Sequence, residues 1–275
     1  MVLKILLGLD STPCTDVSIR QCTELAKQHN VELMGISVVN IKKLENVGSY
    51  PIGTGIYAKR LREFRLKTAD ENIKKAFISF EAACGTAGVN HSVKRETGKP
   101  LGVMVSQARY YDLIVMGLRS PFDYEVAEAP KSMICRLVGK GVRPVLAFGS
   151  QYRSIRRVLI NYDGSIGSAN AMKQFVQMGL WPKITIRIVC FGREIGEAKQ
   201  LLADASKYCH DYGFETDVEH IPANNGDQLL SHATDWDTDL IVMGNPSRRF
   251  LTHTIFGDAT IHAIESSDIS IFLSQ

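Results

Sequence analysis

Asp112-Leu-Ile-Val-Met-Gly117 and Asp239-Leu-Ile-Val-Met-Gly244 are one hexapeptide occurring twice in a single chain. Each is a short apolar run closed by glycine, and each follows a stretch with helical spacing, the pattern of a buried strand entered from a crossover helix. A second pair of landmarks lies upstream in each half: Leu6-Leu-Gly-Leu-Asp-Ser11 is matched by Leu159-Ile-Asn-Tyr-Asp-Gly164, an apolar run stopped by aspartate. The chain therefore reads as a tandem repeat in which Asp10 corresponds to Asp163 and Gly117 to Gly244. The aspartates are 153 positions apart and the glycines 127, so the first half carries 26 additional residues, placed in the segment from Asn40 to Lys67.

Around these landmarks, short apolar runs alternate with segments of period 3.6. In the first half the predicted strands are 3–9, 32–39, 89–97, 112–116 and 144–148, and the predicted helices are 16–30, 61–85, 102–110 and 132–138. The second half repeats the order with strands 157–161, 185–190, 215–221, 239–243 and 269–273 and helices 167–178, 194–212, 228–234 and 259–264. Strands that are nearly continuously apolar and separated by helices predict an α/β fold, with two tandem doubly wound, Rossmann-like domains of five parallel strands each. The expected domains are 1–150 and 151–275. The last strand of each, 144–148 and 269–273, is an apolar edge that needs a partner, which predicts that the two domains pair within the chain as a pseudo-dimer.

Composition narrows the functional classes. The 275 residues are 45% apolar and 22% charged, ordinary for a globular protein. No apolar run approaches the ~20 residues that span a bilayer, and Met1-Val-Leu-Lys4 enters a strand without a signal-peptide layout, so the expectation is a cytoplasmic protein without a membrane partner. A net charge of +3 does not predict nucleic-acid binding, and the local basic run Lys59, Arg60, Arg62, Arg65 and Lys67 reads as a solvated helix face. Cys14, Cys22, Cys84, Cys135, Cys190 and Cys209 show no CxxC or CxxH spacing, so neither a zinc site nor a disulfide framework is expected.

In an open parallel sheet, ligands bind beyond the carboxyl ends of the strands where the strand order reverses. Asp10 and Asp163 follow the first strand of their halves and Gly117 and Gly244 close the fourth, so each pair faces one crevice. After Gly244 the chain runs through Asn245-Pro-Ser247, then nine residues, to Gly257-Asp-Ala-Thr260 before an apolar helical stretch. A glycine turn opening a helix presents free N–H groups and the positive end of the helix dipole, which suits phosphate.

With these residues the chain resembles the universal stress protein family as a tandem member, over nearly its whole length. The resemblance implies an adenine nucleotide alpha hydrolase-like fold, a role in stress-response regulation, and ATP with magnesium as the candidate ligand. The family's ATP-binding members carry Gly, two residues, Gly, nine residues, Gly, then Ser or Thr, with an Asp after the first strand. Carried over, Asp163 would contact the nucleoside, Val189 would lie beside adenine, Gly244 and Gly257 would shape the phosphate loop, and Ser247 stands at the second glycine. Asp258 replaces the expected hydroxyl residue and would put negative charge beside phosphate. In the first half Gly117 and Ser120 keep the spacing, but Pro130-Lys131 stands at the later Gly-Ser position, and proline removes an N–H. The first-half set Asp10, Gly117 and Ser120 is accordingly the weaker candidate.

Simpler readings stand beside these. Asp10, Asp163 and Asp258 each suit the N-terminus of a following helix as caps, worth ~1 kcal/mol. His253 and His262 lack a carboxylate or cysteine at ligand spacing, so no metal site is expected. Arg248 and Arg249 lie beside the candidate loop, though adjacent residues seldom both point inward. No GxSxG, GxxxxGK[ST] or HExxH motif occurs, and no catalytic residues are assigned. The alternative function is a scaffold that binds no nucleotide and meets an unknown protein partner through the 40–67 segment; weak ATP hydrolysis or phosphotransfer is a third. The oligomer is then a monomeric pseudo-dimer or a homodimer of tandem chains.

Overall fold

The computed structural model describes residues 3–10, 12–46, 55–118, 131–142, 144–222, 226–244 and 267–274. Chain order gives β1 (Lys4–Gly8), α1 (Pro13–His29), β2 (Glu32–Val39), α2 (Ile41–Glu45), α3 (Gly55–Ala87), β3 (His91–Thr97), α4 (Pro100–Gln107), a 3-10 turn at Ala108–Tyr110, β4 (Leu113–Gly117), α5 (Lys131–Gly139) and β5 (Val145–Phe148). The second half continues with β6 (Arg157–Asn161), α6 (Ile166–Met178), β7 (Thr185–Phe191), α7 (Ile195–Asp211), β8 (Glu215–Ile221), α8 (Gly226–Asp235), β9 (Leu240–Gly244) and β10 (Ser270–Ser274).

The ten strands of the described residues form one sheet in the order β3-β2-β1-β4-β5-β10-β9-β6-β7-β8. Each half is doubly wound, with its order reversing between β1 and β4 or between β6 and β9. Neighbouring strands are parallel except β5 and β10, which run antiparallel with Ile271 opposite Ala147, Phe272 opposite Leu146 and Leu273 opposite Val145. These are the two edge strands expected to pair. Because the join is antiparallel, the carboxyl ends of the strands in one half point opposite to those in the other, and the two crevices open at opposite ends of the sheet.

The side-chain period of two sorts the strands onto both faces. Ile5, Leu7, Leu113, Val115, Val158, Ile160, Leu240 and Val242 pack into one apolar layer, and Leu6, Ile114, Met116, Leu159, Ile241 and Met243 into the other. Both layers run through the β5–β10 join. The repeated hexapeptide supplies β4 and β9, and its first residue has a structural task in each half. The Asp112 N–H donates to the Lys4 carbonyl at 2.9 Å and its carboxylate accepts the Lys4 N–H at 3.0 Å. Asp239 repeats this, donating to the Arg157 carbonyl and accepting the N–H groups of Arg156 and Arg157, all at 2.9 Å. A carboxylate at this position therefore starts the central strand pair in register.

Local chemistry sets the helix ends. Pro13 opens α1, and Asn30 closes it in the left-handed region at φ 51°. Ser165 caps α6 by accepting the Ser168 N–H, and Glu194 caps α7 by accepting from Gly196 and Glu197. Several boundaries differ from expectation: α1 begins at Pro13 rather than 16, α3 begins at Gly55 rather than 61, the helix placed at 102–110 starts at Pro100 and tightens into a 3-10 turn at Ala108, and the short helix α2 lies where no helix was placed. Pro13 and Pro100 each open their helix, where a missing N–H leaves no bond unmade. Ser120, Pro130, Ser247, Gly257, Asp258 and the helix expected at 259–264 lie outside the described residues. Cys14, Cys22, Cys84, Cys190 and Cys209 are buried and form no disulfide, and burial pushes the Cys84 thiol up to about 11 and the Cys209 thiol up to about 12.

Asp268, just before β10, binds the segment leaving β5. Its carboxylate accepts from the Ser150 N–H and hydroxyl at 2.8 Å each and from the Gln151 N–H at 3.2 Å. Gly149 has no room for a side chain, since a Cβ there would lie 1.9 Å from the Asp268 carbonyl oxygen. Across the join, the Arg20 guanidinium lies 3.4 Å from the centroid of the Tyr152 ring, whose hydroxyl donates to Glu24, and the Gln21 side-chain amide donates to the Arg153 carbonyl. Asp268→Ala should lower stability in urea unfolding by about 1–3 kcal/mol through two orphaned N–H groups and a hydroxyl. A change below about 0.5 kcal/mol, the size of an ordinary surface substitution, would show that the contact does not secure the join.

Candidate functional site

The second-half crevice is built where β6 and β9 end. The Tyr162 N–H donates to the Val189 carbonyl at 2.9 Å, which carries the β6–β7 ladder one residue beyond β6 and delivers Asp163 at its tip. The chain then turns through Gly164, at φ 74°, whose missing Cβ would sit 2.9 Å from two Leu201 carbons. Asp163 accepts the Ser165 N–H at 2.9 Å, and Ser165 caps α6. Asp163 is thus not the cap expected of it; its carboxylate stabilises the turn that positions the capping serine.

Asp163 is exposed. Partial burial raises its carboxyl, but hydrogen bonds from Ser165 and Ser168 and the nearby Arg193 charge outweigh this and hold it below the ordinary aspartate value. Arg193 was not singled out from sequence. Its Nε donates to the Asp163 carbonyl at 2.8 Å, it reaches Glu197 at 3.4 Å, and His220 donates to its own carbonyl at 2.9 Å. A lone arginine two residues after a strand has no sequence signature; only the β6–β7 pairing brings it to Asp163. Gly244 ends β9 against α6, and a Cβ there would lie 2.2 Å from the Gly167 carbonyl carbon and 2.3 Å from the Ser168 nitrogen. The structure therefore brings Asp163 and Gly244 to the same turn of α6. Val189 is fully buried and its carbonyl is already engaged, so it supports the floor of the crevice and offers no exposed surface.

The first half keeps the outline and changes the chemistry. The Leu9 N–H donates to the Ile36 carbonyl at 2.8 Å, the counterpart of Tyr162 and Val189. Asp10, however, is only 4% exposed, and one of its oxygens accepts from the Thr12 N–H at 2.9 Å, from the Thr12 hydroxyl at 2.7 Å and from the Thr15 hydroxyl. Thr12, not Asp10, occupies the cap position of α1. Gly117 is buried, paired with Phe148. Among the described residues no three His, Cys, Asp or Glu side chains converge where they could hold a metal, and no helix is long and apolar enough to cross a membrane.

Two doubly wound halves sharing one sheet, each with an aspartate after its first strand and a glycine ending its fourth, define a tandem Rossmann-like α/β protein. No family model matches the chain. A universal stress protein of Synechocystis sp. is 22% identical over 263 residues, spanning 93% of this chain and 88% of that protein. Among solved structures, a universal stress protein from Archaeoglobus fulgidus aligns with a TM-score of 0.72 at 18% identity, covering 99% of this chain and 98% of that one. A putative universal stress protein from Pseudomonas aeruginosa aligns at 0.55 and 13% identity, covering 99% and 93%. The structures establish the fold, and the Synechocystis protein is similar to this chain over nearly its whole length.

The lowered carboxyl of Asp163 has a consequence for stability. A group depressed on folding stabilises the native state above its unfolded value of about 3.9 and loses that contribution as pH falls through the folded value. Asp163→Asn should therefore be less stable than the parent near neutrality, with the two converging as pH drops toward 3 in parallel urea titrations. A gap independent of pH would show that the charge plays no part.

Proposed function

We propose that this chain is a stress-response regulatory protein whose domains, 1–150 and 151–275, have diverged so that only the second binds an adenine nucleotide. The observation that supports this is the contrast between the paired aspartates. Asp163 is an exposed anion at the mouth of its crevice, able to accept a ribose hydroxyl, whereas Asp10 is buried beneath two threonines and spent on local hydrogen bonds. Burial excludes Asp10 from a ligand unless the turn opens, and opening it breaks three hydrogen bonds, each worth about 1 kcal/mol net.

Asp163 would hold the nucleoside, with Gly244 keeping β9 close to α6. The phosphates would lie toward Ser247, Gly257 and Asp258, with magnesium offsetting their charge. A bound nucleotide would supply the regulatory signal by adding order and charge to the turn joining β6 and α6; no reacting group is assigned. The scaffold reading draws on the aspartate at position 258, which would repel phosphate in the place where the family pattern has a hydroxyl.

Titration calorimetry of the nucleotide-stripped chain with ATP and magnesium should give one site per chain. Asp163→Ala should weaken it at least about tenfold, the loss of one hydrogen bond to a charged group, while Asp10→Ala changes affinity by less than about twofold if it stays folded. No binding by the parent chain would favour the scaffold, and two equal sites would contradict the divergence of the halves.

A further inference from the structure

The 33-residue helix α3 carries a surface that the candidate crevice does not use. Its inner side is anchored: Ala58, Ala69 and Ile73 are buried, and Ala69 and Ile73 pack with Val39 and with Leu44 of α2. On the outer side of its first three turns, Ile56 is 73% exposed, Tyr57 69% and Phe64 67%. At 3.6 residues per turn Tyr57 and Phe64 stand one above the other and Ile56 lies about 100° around the helix from them, with Arg60 and Lys67 between, so the three span one broad outer face that also carries two cations. Three large apolar side chains this exposed within three turns form a patch of the sort that marks an interaction site. Lys59, Arg60 and Lys67 are exposed among and beside them, Arg62 is exposed on the side of Ala58 and Ala69, and Arg65 donates to the Asn46 carbonyl beneath. Glu63 is the one carboxylate between residues 55 and 67; Lys59 faces it at 4.0 Å, and Lys67 faces Glu71 one turn on at 3.9 Å, both as exposed pairs.

We infer that this face of α3 docks on an anionic lipid surface. Its charge is complementary to such a surface, and its shape favours one. The patch is the convex outer face of a single helix, which a planar headgroup layer can accommodate over its whole length. A helical partner would need a groove and would meet only a ridge. Phe64, Tyr57 and Ile56 would enter the boundary between headgroups and acyl chains while the lysines and arginines extend to lipid phosphates, the arrangement of an interfacial amphipathic helix. No span is involved, so the inference is compatible with a chain whose described helices do not cross a membrane. It also stands independently of nucleotide binding, because α3 lies in the half whose aspartate is closed. The solvated-face reading accounts for the cations but leaves Ile56, Tyr57 and Phe64 without a reason.

Cosedimentation of the full chain with phosphatidylcholine vesicles, with and without about 30 mol% phosphatidylserine, tests it. The expected result is partition to the anionic vesicles near 0.1 M salt, loss of that partition at about 0.5 M, and little binding to neutral vesicles. Each cation near such a surface contributes about fivefold in affinity, so the double variant Arg60→Glu, Lys67→Glu should bind at least about tenfold more weakly. Tyr57→Ser with Phe64→Ser should also lose binding while retaining the parent's circular dichroism. Lys199→Glu, an exposed change on α7, should bind as the parent does. Equal binding to neutral and anionic vesicles, full binding by the α3 variants, or no partition at all would overturn the inference, the last leaving the face to an acidic protein.

Discussion

Antiparallel pairing of β5 with β10 is the constraint on which the rest of the molecule depends. Each half ends in a short strand that is entirely buried, and alone either would expose a row of unpaired backbone groups along an apolar edge. Pairing them satisfies both edges at once and forces a pseudo-two-fold relation, the isologous geometry of a symmetric dimer made within one chain. The sheet then ends at β3 and β8, whose solvent-facing positions carry Lys94, Arg95 and Glu96 on one side and Glu215, Asp217 and Glu219 on the other. Charged edges of this kind resist further strand addition. The Asp268 clamp and the stacking of Arg20 on Tyr152 reinforce the join on either side of it.

Opposed strand directions also separate the two crevices, so each half is free to change its chemistry without disturbing the other's. The substitutions that distinguish them are small. Ser11-Thr12 follows Asp10 where Gly164-Ser165 follows Asp163, and Thr15 meets the same carboxylate oxygen that Thr12 occupies. Both carboxylates meet an amide and two hydroxyls, but Asp10 lies buried beneath its threonines whereas Asp163, beside a glycine turn, remains at the surface.

Much of the architecture was legible because it rests on periodicity. The repeated hexapeptide, the apolar runs and their helical intervals identified two doubly wound units, and the apolar last strands identified the join. The same reading missed what depends on side-chain geometry. Aspartate near a helix start suggested a cap, but the cap is Ser165 or Thr12, and the aspartate supports the turn before it. Arg193 carried no motif, since its nearness to Asp163 comes from β6 pairing with β7. Val189 was placed beside a ligand through family resemblance, yet its side chain belongs to the core. Nothing in the composition of the 40–67 segment showed that α3 would run from Gly55 without interruption.

The central claim is that one of two homologous crevices has kept a ligand-ready aspartate and the other has not. Amide hydrogen exchange of the full chain with and without ATP and magnesium tests it residue by residue, since binding slows exchange at the backbone it orders. The account predicts slower exchange at Ser165 and Ser168 and at Gly192 and Arg193, with no change from Thr12 to Thr15. Slower exchange at Thr12 and Thr15, alone or together with the second-half turn, would contradict it.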